Sequence, residues 1–367
     1  MNIAILGTRG IPNNYGGFEQ FAEYLSVGMV ERGHDVTVYS PHFHDYKKDC
    51  YKGVKIRHIF SPEKQIGAMA NFIYDFLCLK DALKHNFDII YEAGYHSNAP
   101  SYFLMGNRKR PILITNMDGL EWKRSKWNRA TQKLILWLEG LAVSKSHYLI
   151  SDNVGIQSYY KDKFNVNTFF IPYGADKIEV VDPELLKGMG VHPFSYYLLI
   201  ARIEPENNIE IILDGYLQKK RMFPFIVIGN CNNKYGKFLQ KKYTEKRIIF
   251  AGSIYDKMKL DQLRFHAKGY FHGHSVGGTN PSLLEAMGSG AMIIAHNNIF
   301  NRSVLGDDAL YFESPQDIDS VFDRIDCLTD SERESMVNSN FEKIRTLYNW
   351  DSIINRHIEL FNYLLAQ

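Results

Sequence analysis

Cysteine is scarce in this chain. The four present, Cys50, Cys78, Cys231 and Cys327, lie far apart and form no Cys-x-x-Cys pair. That spacing argues against a zinc ribbon or a disulfide framework and fits a reducing cytoplasm. A dominant charge is also missing. Forty-three Lys and Arg against 41 Asp and Glu leave a net charge of +2, too little to hold nucleic acid by bulk electrostatics. No apolar run is long enough to cross a bilayer, since the most apolar stretch, 134–143, is short and contains Glu139. The chain opens directly on a strand-like run at 2–6, so no signal peptide is expected. Gly-x-Gly-x-x-Gly and P-loop patterns, short-period repeats and low-complexity segments are absent too.

What remains is an alternation of short apolar runs with amphipathic stretches, which argues for parallel sheets covered on both faces. Strands are predicted at 3–6, 36–39, 56–59, 89–91, 112–115 and 148–150, with helices ending near 30 and covering about 66–85 and 127–145. Pro172 and Gly174 punctuate the chain, and the pattern then restarts. Strands follow at 196–200, 225–228, 248–250, 269–271 and 292–295, with helices at roughly 207–220, 257–267 and 281–288. The expected fold is α/β, with two doubly wound Rossmann-like domains at 1–172 and 173–349 facing a central cleft. A single large sheet is the plainer alternative. An amphipathic helix at 350–365, within a tail of 350–367, is expected to cross back to the first domain.

The most informative segment runs from Phe271 to Ala295. A strand end is followed by the small-residue loop 276–280, and Pro281 then begins a helix. Backbone N–H groups of Gly277, Gly278 and Thr279, with the helix start at Asn280, Pro281 and Ser282, suit a phosphate. Glu285, placed in about the first turn, suits a ribose hydroxyl. The same segment also reads as an ordinary strand-to-helix turn. Arg202 follows another predicted strand, where a guanidinium clamps a diphosphate with paired donors. Its alternative is a surface pair with Glu204 or Glu206.

In the first half, Gly7-Thr-Arg-Gly-Ile-Pro and Tyr15-Gly-Gly-Phe-Glu form a loop too long for a tight pyrophosphate turn, although Gly16 and Gly17 allow close backbone approach. Asp118 follows a predicted strand and is a candidate to orient or deprotonate a sugar hydroxyl; the competing role is an N-cap. Lys123, Arg124, Lys126, Arg129 and Lys133, with Trp122 and Trp127, are read as a basic helix over 122–133. Such a helix either touches anionic lipid or is simply solvated. Asp317-Ile-Asp319 reads as helix capping rather than metal binding. His272 and His274, without a third ligand, make no metal site.

These motifs resemble the retaining GT-B glycosyltransferases of family 4 over essentially the whole chain. Four segments in order (Gly7-Thr-Arg-Gly-Ile-Pro, Tyr15-Gly-Gly-Phe-Glu, Asp118-Gly-Leu-Glu-Trp-Lys-Arg, and His274 through Met287) are similar to the bacterial rhamnosyltransferase branch. The resemblance implies a hexosyltransferase taking L-rhamnose from dTDP-rhamnose, with no cofactor and no metal. The acceptor it implies is a saccharide, undecaprenyl-linked, used in surface polysaccharide synthesis. The implied location is cytoplasmic, at the inner face of the membrane.

It assigns Glu285 to the ribose and Arg202 to the diphosphate. Gly277 stands where the family usually has a carboxylate, and Asn207 where it usually has a lysine. Asn207 is counted among the donor-site residues, with Arg9 or the loop amides replacing the lost charge. Gly229 and Ile254 fall where the base is lined. On the acceptor side stand Arg9, Tyr15, Glu19, His96 and Glu121. Two other classes compete: a nicotinamide-dependent oxidoreductase or epimerase, recognisable by bound-cofactor absorbance, and a non-catalytic binding protein, excluded by any hydrolysis of nucleotide sugar.

Overall fold

The computed structural model describes residues 1–367 except Tyr15, Ser125, Gly188 and Met189. Its backbone contacts divide the chain into two compact units. One comprises 1–123, 127–173 and 350–367; the other comprises 124–126 and 174–349.

The first unit is built on eight strands: β1 Asn2–Leu6, β2 Asp35–Pro41, β3 Cys50–Tyr51, β4 Val54–Ile59, β5 Ile89–Glu92, β6 Ile112–Asn116, β7 Tyr148–Ser151 and β8 Phe169–Phe170. Their order is β3-β4-β2-β1-β5-β6-β7-β8. Ile3, Ala4, Ile5, Ile89 and Ile90 are wholly buried, as continuous apolar runs covered on both faces require. All pairs are parallel except β3 with β4. That hairpin, absent from the sequence reading, turns on Lys52 and Gly53, both at positive φ (46° and 83°), the geometry of a tight two-residue turn.

Helix Gly17–Glu31 follows β1. The closing helix Trp350–Leu365 lies in this unit and packs on it: Tyr24 and Trp350 stack at 4.4 Å, and Arg32 reaches Asp351 at 2.7 Å. The predicted helix 66–85 is broken. A short helix Glu63–Ile66 and a 3-10 turn Gly67–Met69 precede the true helix Ala70–Ala82.

The second unit carries β9 Tyr197–Ile200, β10 Phe225–Ile228, β11 Ile248–Gly252, β12 Gly269–His272, β13 Ile293–His296 and β14 Leu310–Phe312. The order is β11-β10-β9-β12-β13-β14, and every pair is parallel. Its core is aromatic: Tyr197, Tyr216, Phe225, Phe271 and Phe322 cluster beneath helix Pro315–Cys327. Ser314 and Asp317 cap that helix reciprocally, which accounts for the Asp317-Ile-Asp319 sequence. In each sheet the strand order reverses at one point, between β1 and β5 and between β9 and β12, and ligands of such sheets gather at the carboxyl ends there.

Candidate functional site

In the second unit, the reversal point collects Arg202, which follows β9, and the loop that follows β12. The two are tied together. Tyr270 on β12 directs its hydroxyl to the Ile200 carbonyl at 3.4 Å and shares a hydrogen bond with Ser282 Oγ at 3.0 Å. Pro281 occupies the first turn of helix Pro281–Gly288, and Asn280 caps it by accepting from the Ser282 N–H. The predicted loop and helix start therefore stand beside the predicted arginine. Gly277 has φ +125°, Thr279 is buried and Gly278 is half-buried.

The anticipated ion pair of Arg202 with Glu204 or Glu206 does not form. Among the described residues the Arg202 guanidinium has no carboxylate within ion-pair distance, and Glu206 is taken by Arg124 at 3.6 Å.

The floor of the site is a set of amide side chains. Asn208 donates to the Gly273 carbonyl, and Asn298 and Asn301 both donate to the His274 carbonyl. Ser275 donates through its N–H and its hydroxyl to the Glu206 carbonyl. This packing leaves no space at Gly273, where a Cβ would stand 1.9 Å from the Asn207 carbonyl oxygen. Asn207 is buried in the 3-10 turn Pro205–Asn207. Its amide donates to the Arg202 carbonyl at 2.7 Å and its oxygen meets His274 Nδ1 at 3.0 Å. Its side chain thus fixes Arg202 and His274. Burial first, then the charges of His272, Arg124 and Arg202, hold the His274 ring well below the usual imidazole range. His272 is pushed down to about 3, mainly by burial.

Glu285 lies in the second turn of its helix, not the first. Its Oε2 is held at 2.6 Å by the buried Arg264. Gly229 follows β10 and bonds to the Gly252 carbonyl, and Ile254 lies half-buried past β11.

In the first unit the reversal point is lined by carboxylates. Glu92 ends β5, wholly buried, with Asn98 on its Oε2 at 2.5 Å. Asp118 follows β6 beside Gly119, whose carbonyl accepts from Tyr95. Asp152, buried, follows β7. Burial, then the charges of Asp152 and Asp118, push the Tyr91 phenol upward, so both carboxylates bear on that buried ring. Asp152 was missed from sequence, although it stands just past its strand as Asp118 does.

Glu19 is buried and accepts the Arg9 N–H at 2.9 Å, while the Arg9 guanidinium pairs with Glu63 at 3.0 Å. Gly16 caps and Gly17 begins the first helix. His96 packs its ring on Tyr95, and Glu121 accepts from Trp127 Nε1. Tyr15 lies outside the described residues.

The basic helix expected at 122–133 does not exist as one element. A 3-10 turn covers Glu121–Lys123, and the helix starts only at Arg129. Asn128 sets that start by accepting the Thr131 N–H, so the cap is Asn128 and not Asp118. With the segment broken, its cations and tryptophans share no continuous helical face. No helix among the described residues is long and apolar enough to cross a membrane. Among those residues no group of three or more His, Cys, Asp or Glu is placed to hold a metal ion.

Residues 1–176 match a family described only as a domain of unknown function, DUF1972. A 60-residue stretch is 40% identical to an uncharacterized 42.6 kDa protein in the cps region of Klebsiella pneumoniae. That match spans 16% of this chain and 16% of that relative's length. Solved structures resemble the chain over nearly its whole length. Sucrose-phosphate synthase from Thermosynechococcus elongatus superposes with a TM-score of 0.82 at 14% identity, covering 100% of this chain and 99% of its own. The starch synthase IV catalytic domain from Arabidopsis thaliana, bound to ADP and acarbose, gives 0.76 at 11%, covering 100% and 99%. Anabaena HepE in complex with UDP gives 0.74 at 16%, covering 99% and 100%. The chain has the GT-B fold, of the α/β class.

Proposed function

We propose that this chain is a glycosyltransferase using a nucleoside-diphosphate sugar, the second unit holding the donor and the first the acceptor. The observation that carries this reading is the Arg202 guanidinium, without a carboxylate partner among the described residues, beside the loop and helix start at 276–282. A cation and convergent backbone dipoles at the reversal point of a parallel sheet suit a diphosphate. The fold supports the reading, since HepE has been solved with UDP and UDP-glucose and the starch synthase domain with ADP. The relative in a cps region supports surface polysaccharide synthesis as the setting.

Our finer reading is transfer of L-rhamnose from dTDP-rhamnose, with retention, to a lipid-linked saccharide. The absence of a side chain at Gly277, where the resembling family has a carboxylate, favours a deoxysugar with fewer polar contacts. In the reaction the bond from the anomeric carbon to the diphosphate breaks and the acceptor oxygen bonds to that carbon on the same face. The acceptor's proton passes to the leaving phosphate oxygen. The protein's work is then to stabilise charge gathering on the diphosphate, the task of Arg202 and the loop amides, and to orient the acceptor hydroxyl, the task of Asp118.

A panel of nucleotide sugars tested by thermal shift names the donor. A ligand at a hundred times its dissociation constant adds about 2.7 kcal/mol to stability, and dTDP-rhamnose is expected to give the largest rise. Arg202→Ala is expected to abolish that rise while leaving the unliganded melting temperature unchanged. A protein that no nucleotide sugar shifts would end this reading, and a largest shift from another donor would replace the rhamnose assignment.

A further inference from the structure

Under helix Pro281–Gly288 lies a chain of alternating charges that the reading above does not use. It starts at the exposed Lys257 at the head of helix Lys257–Phe265, whose Nζ meets Asp261 Oδ2 at 2.8 Å. Asp261 Oδ1 receives Arg264 Nη1 at 3.1 Å and the Ser289 hydroxyl at 3.0 Å. Arg264 Nη2 then meets Glu285 Oε2 at 2.6 Å. The Arg264 side chain is only 2% exposed and that of Glu285 25%, so the chain of charges surfaces at Glu285. Ser289 closes the set by donating also to the Glu285 backbone carbonyl.

Packing alone does not explain a buried guanidinium here. Apolar side chains of similar volume stabilise such a position as well or better. Arg264 Nε, moreover, is buried without a hydrogen-bond partner among the described residues, which costs stability and returns none. What the ionic chain does and an apolar plug cannot is fix a partly exposed carboxylate in one rotamer. Two forked N–H groups set the guanidinium plane between Asp261 and Glu285, and that plane sets the Glu285 carboxylate.

We infer that Arg264, anchored by Asp261, is a positioning residue that aims the Glu285 carboxylate at a hydroxyl of the bound nucleotide's ribose. The inference rests on the nucleotide-sugar reading of this site. It makes discrimination for the sugar hydroxyl of the nucleotide, not affinity for its phosphates, depend on a residue that never touches the ligand.

The test is calorimetric titration of the full chain with TDP and with its 3′-deoxy analogue, comparing the ratio of the two dissociation constants. For the unaltered protein the missing hydroxyl is expected to weaken binding about tenfold, as for a hydrogen bond to a charged group. In Arg264→Lys, whose ammonium lacks the rigid planar fork that sets the carboxylate's orientation, the ratio is expected to fall below about twofold, with the analogue's own affinity little changed. Asp261→Asn, a milder change one link further from the ligand, should lower the ratio to about threefold and keeps the test open if Arg264→Lys does not fold. A ratio that stays near tenfold in a folded variant overturns the inference, as does a ratio near one in the unaltered protein. Failure of TDP to bind the unaltered protein at all is a different result, which removes the nucleotide-sugar reading itself.

Discussion

The two units have the same parallel-sheet design and opposite chemistry at their strand ends. At the reversal point of the first sheet stand the acids Glu92, Asp118 and Asp152, with the buried Asp75 bonded to Ser97 nearby. At that of the second stand Arg202, two neutral histidines and a floor of asparagine amides. One topology thus supports two electrostatic characters, because loop residues past the strand ends set the field and the strands only carry them. An anionic ligand belongs with the second set. The first suits hydroxyl groups, which Asp118 and Asp152 can orient by accepting their hydrogen bonds, while burial pushes the Glu92 and Asp75 carboxyls upward and so toward the neutral form.

The sharpest way to break this division of labour is Asp118→Asn. Transfer is expected to fall by about a thousandfold, because the acceptor hydroxyl is no longer held in line with the anomeric carbon, with the dissociation constant for the nucleotide sugar unchanged within twofold. Steady-state rates and titration calorimetry on the same preparation measure both. If the variant lost donor binding instead, the acids of the first unit would no longer be a separate acceptor-side set. Unchanged transfer would remove Asp118 from the site.

How far the molecule was legible depended on how local each signal was. Strand alternation, Pro281 at a helix start and Arg202 at a strand end are encoded within a few residues, and each lies where the pattern put it. The closing helix was legible because its apolar stripe needs a partner. Arg264 was not, since in sequence it looks like the solvated arginine of a polar helix. Only tertiary packing, which brings Glu285 against it opposite its own helix neighbour Asp261, makes it a buried cation. The start of the helix at Arg129 rather than at 122 was missed for the opposite reason. Periodicity continues through it, and only the Asn128 side chain, competing for the Thr131 N–H, starts the helix later. The role of Asn207 was hidden because its partners, Arg202 and His274, come from two separate strand ends.

Next in size is a pH effect, and it differs between the units in sign. Burial pushes the Asp75 carboxyl up to about 7, against the hydrogen bond from Ser97. Between about pH 4 and 7 the folded state therefore holds a proton that the unfolded chain has lost. Stability falls as pH rises through that window, by at most about 1.4 kcal/mol per pH unit. In the second unit His272, pushed down to about 3, acts the other way. The unfolded chain takes up a proton below about pH 6.5 that the folded ring refuses, so stability falls as pH drops. Asp75→Asn should accordingly stabilise the protein by about 2–4 kcal/mol at pH 8, have little effect near pH 4, and leave the acid-side loss intact. Urea unfolding at pH 4, 6 and 8 measures this. An equal gain at every pH would mean that repacking, not ionisation, is responsible.

The smallest expected effect bears on the hinge of the comparison, the segment between Asp118 and helix Arg129–Lys145. Its residues 124–126 cluster with the second unit while both flanks belong to the first. Arg124 lies 3.6 Å from Glu206, whose carbonyl also anchors Ser275, just ahead of the 276–280 loop. Asn128→Ala removes the cap of the following helix and is expected to cost about 1 kcal/mol of stability. The first turn of that helix frays, but Arg124 is separated from the cap by several residues and its ion pair is too long to be strong. The affinity for the donor should therefore stay within twofold. A tenfold loss of donor affinity in a variant whose stability drops by only about 1 kcal/mol would show the opposite: that this stretch of the chain carries information between the acid-lined and the cation-lined strand ends. The two chemistries would then be coupled through Arg124 rather than independent.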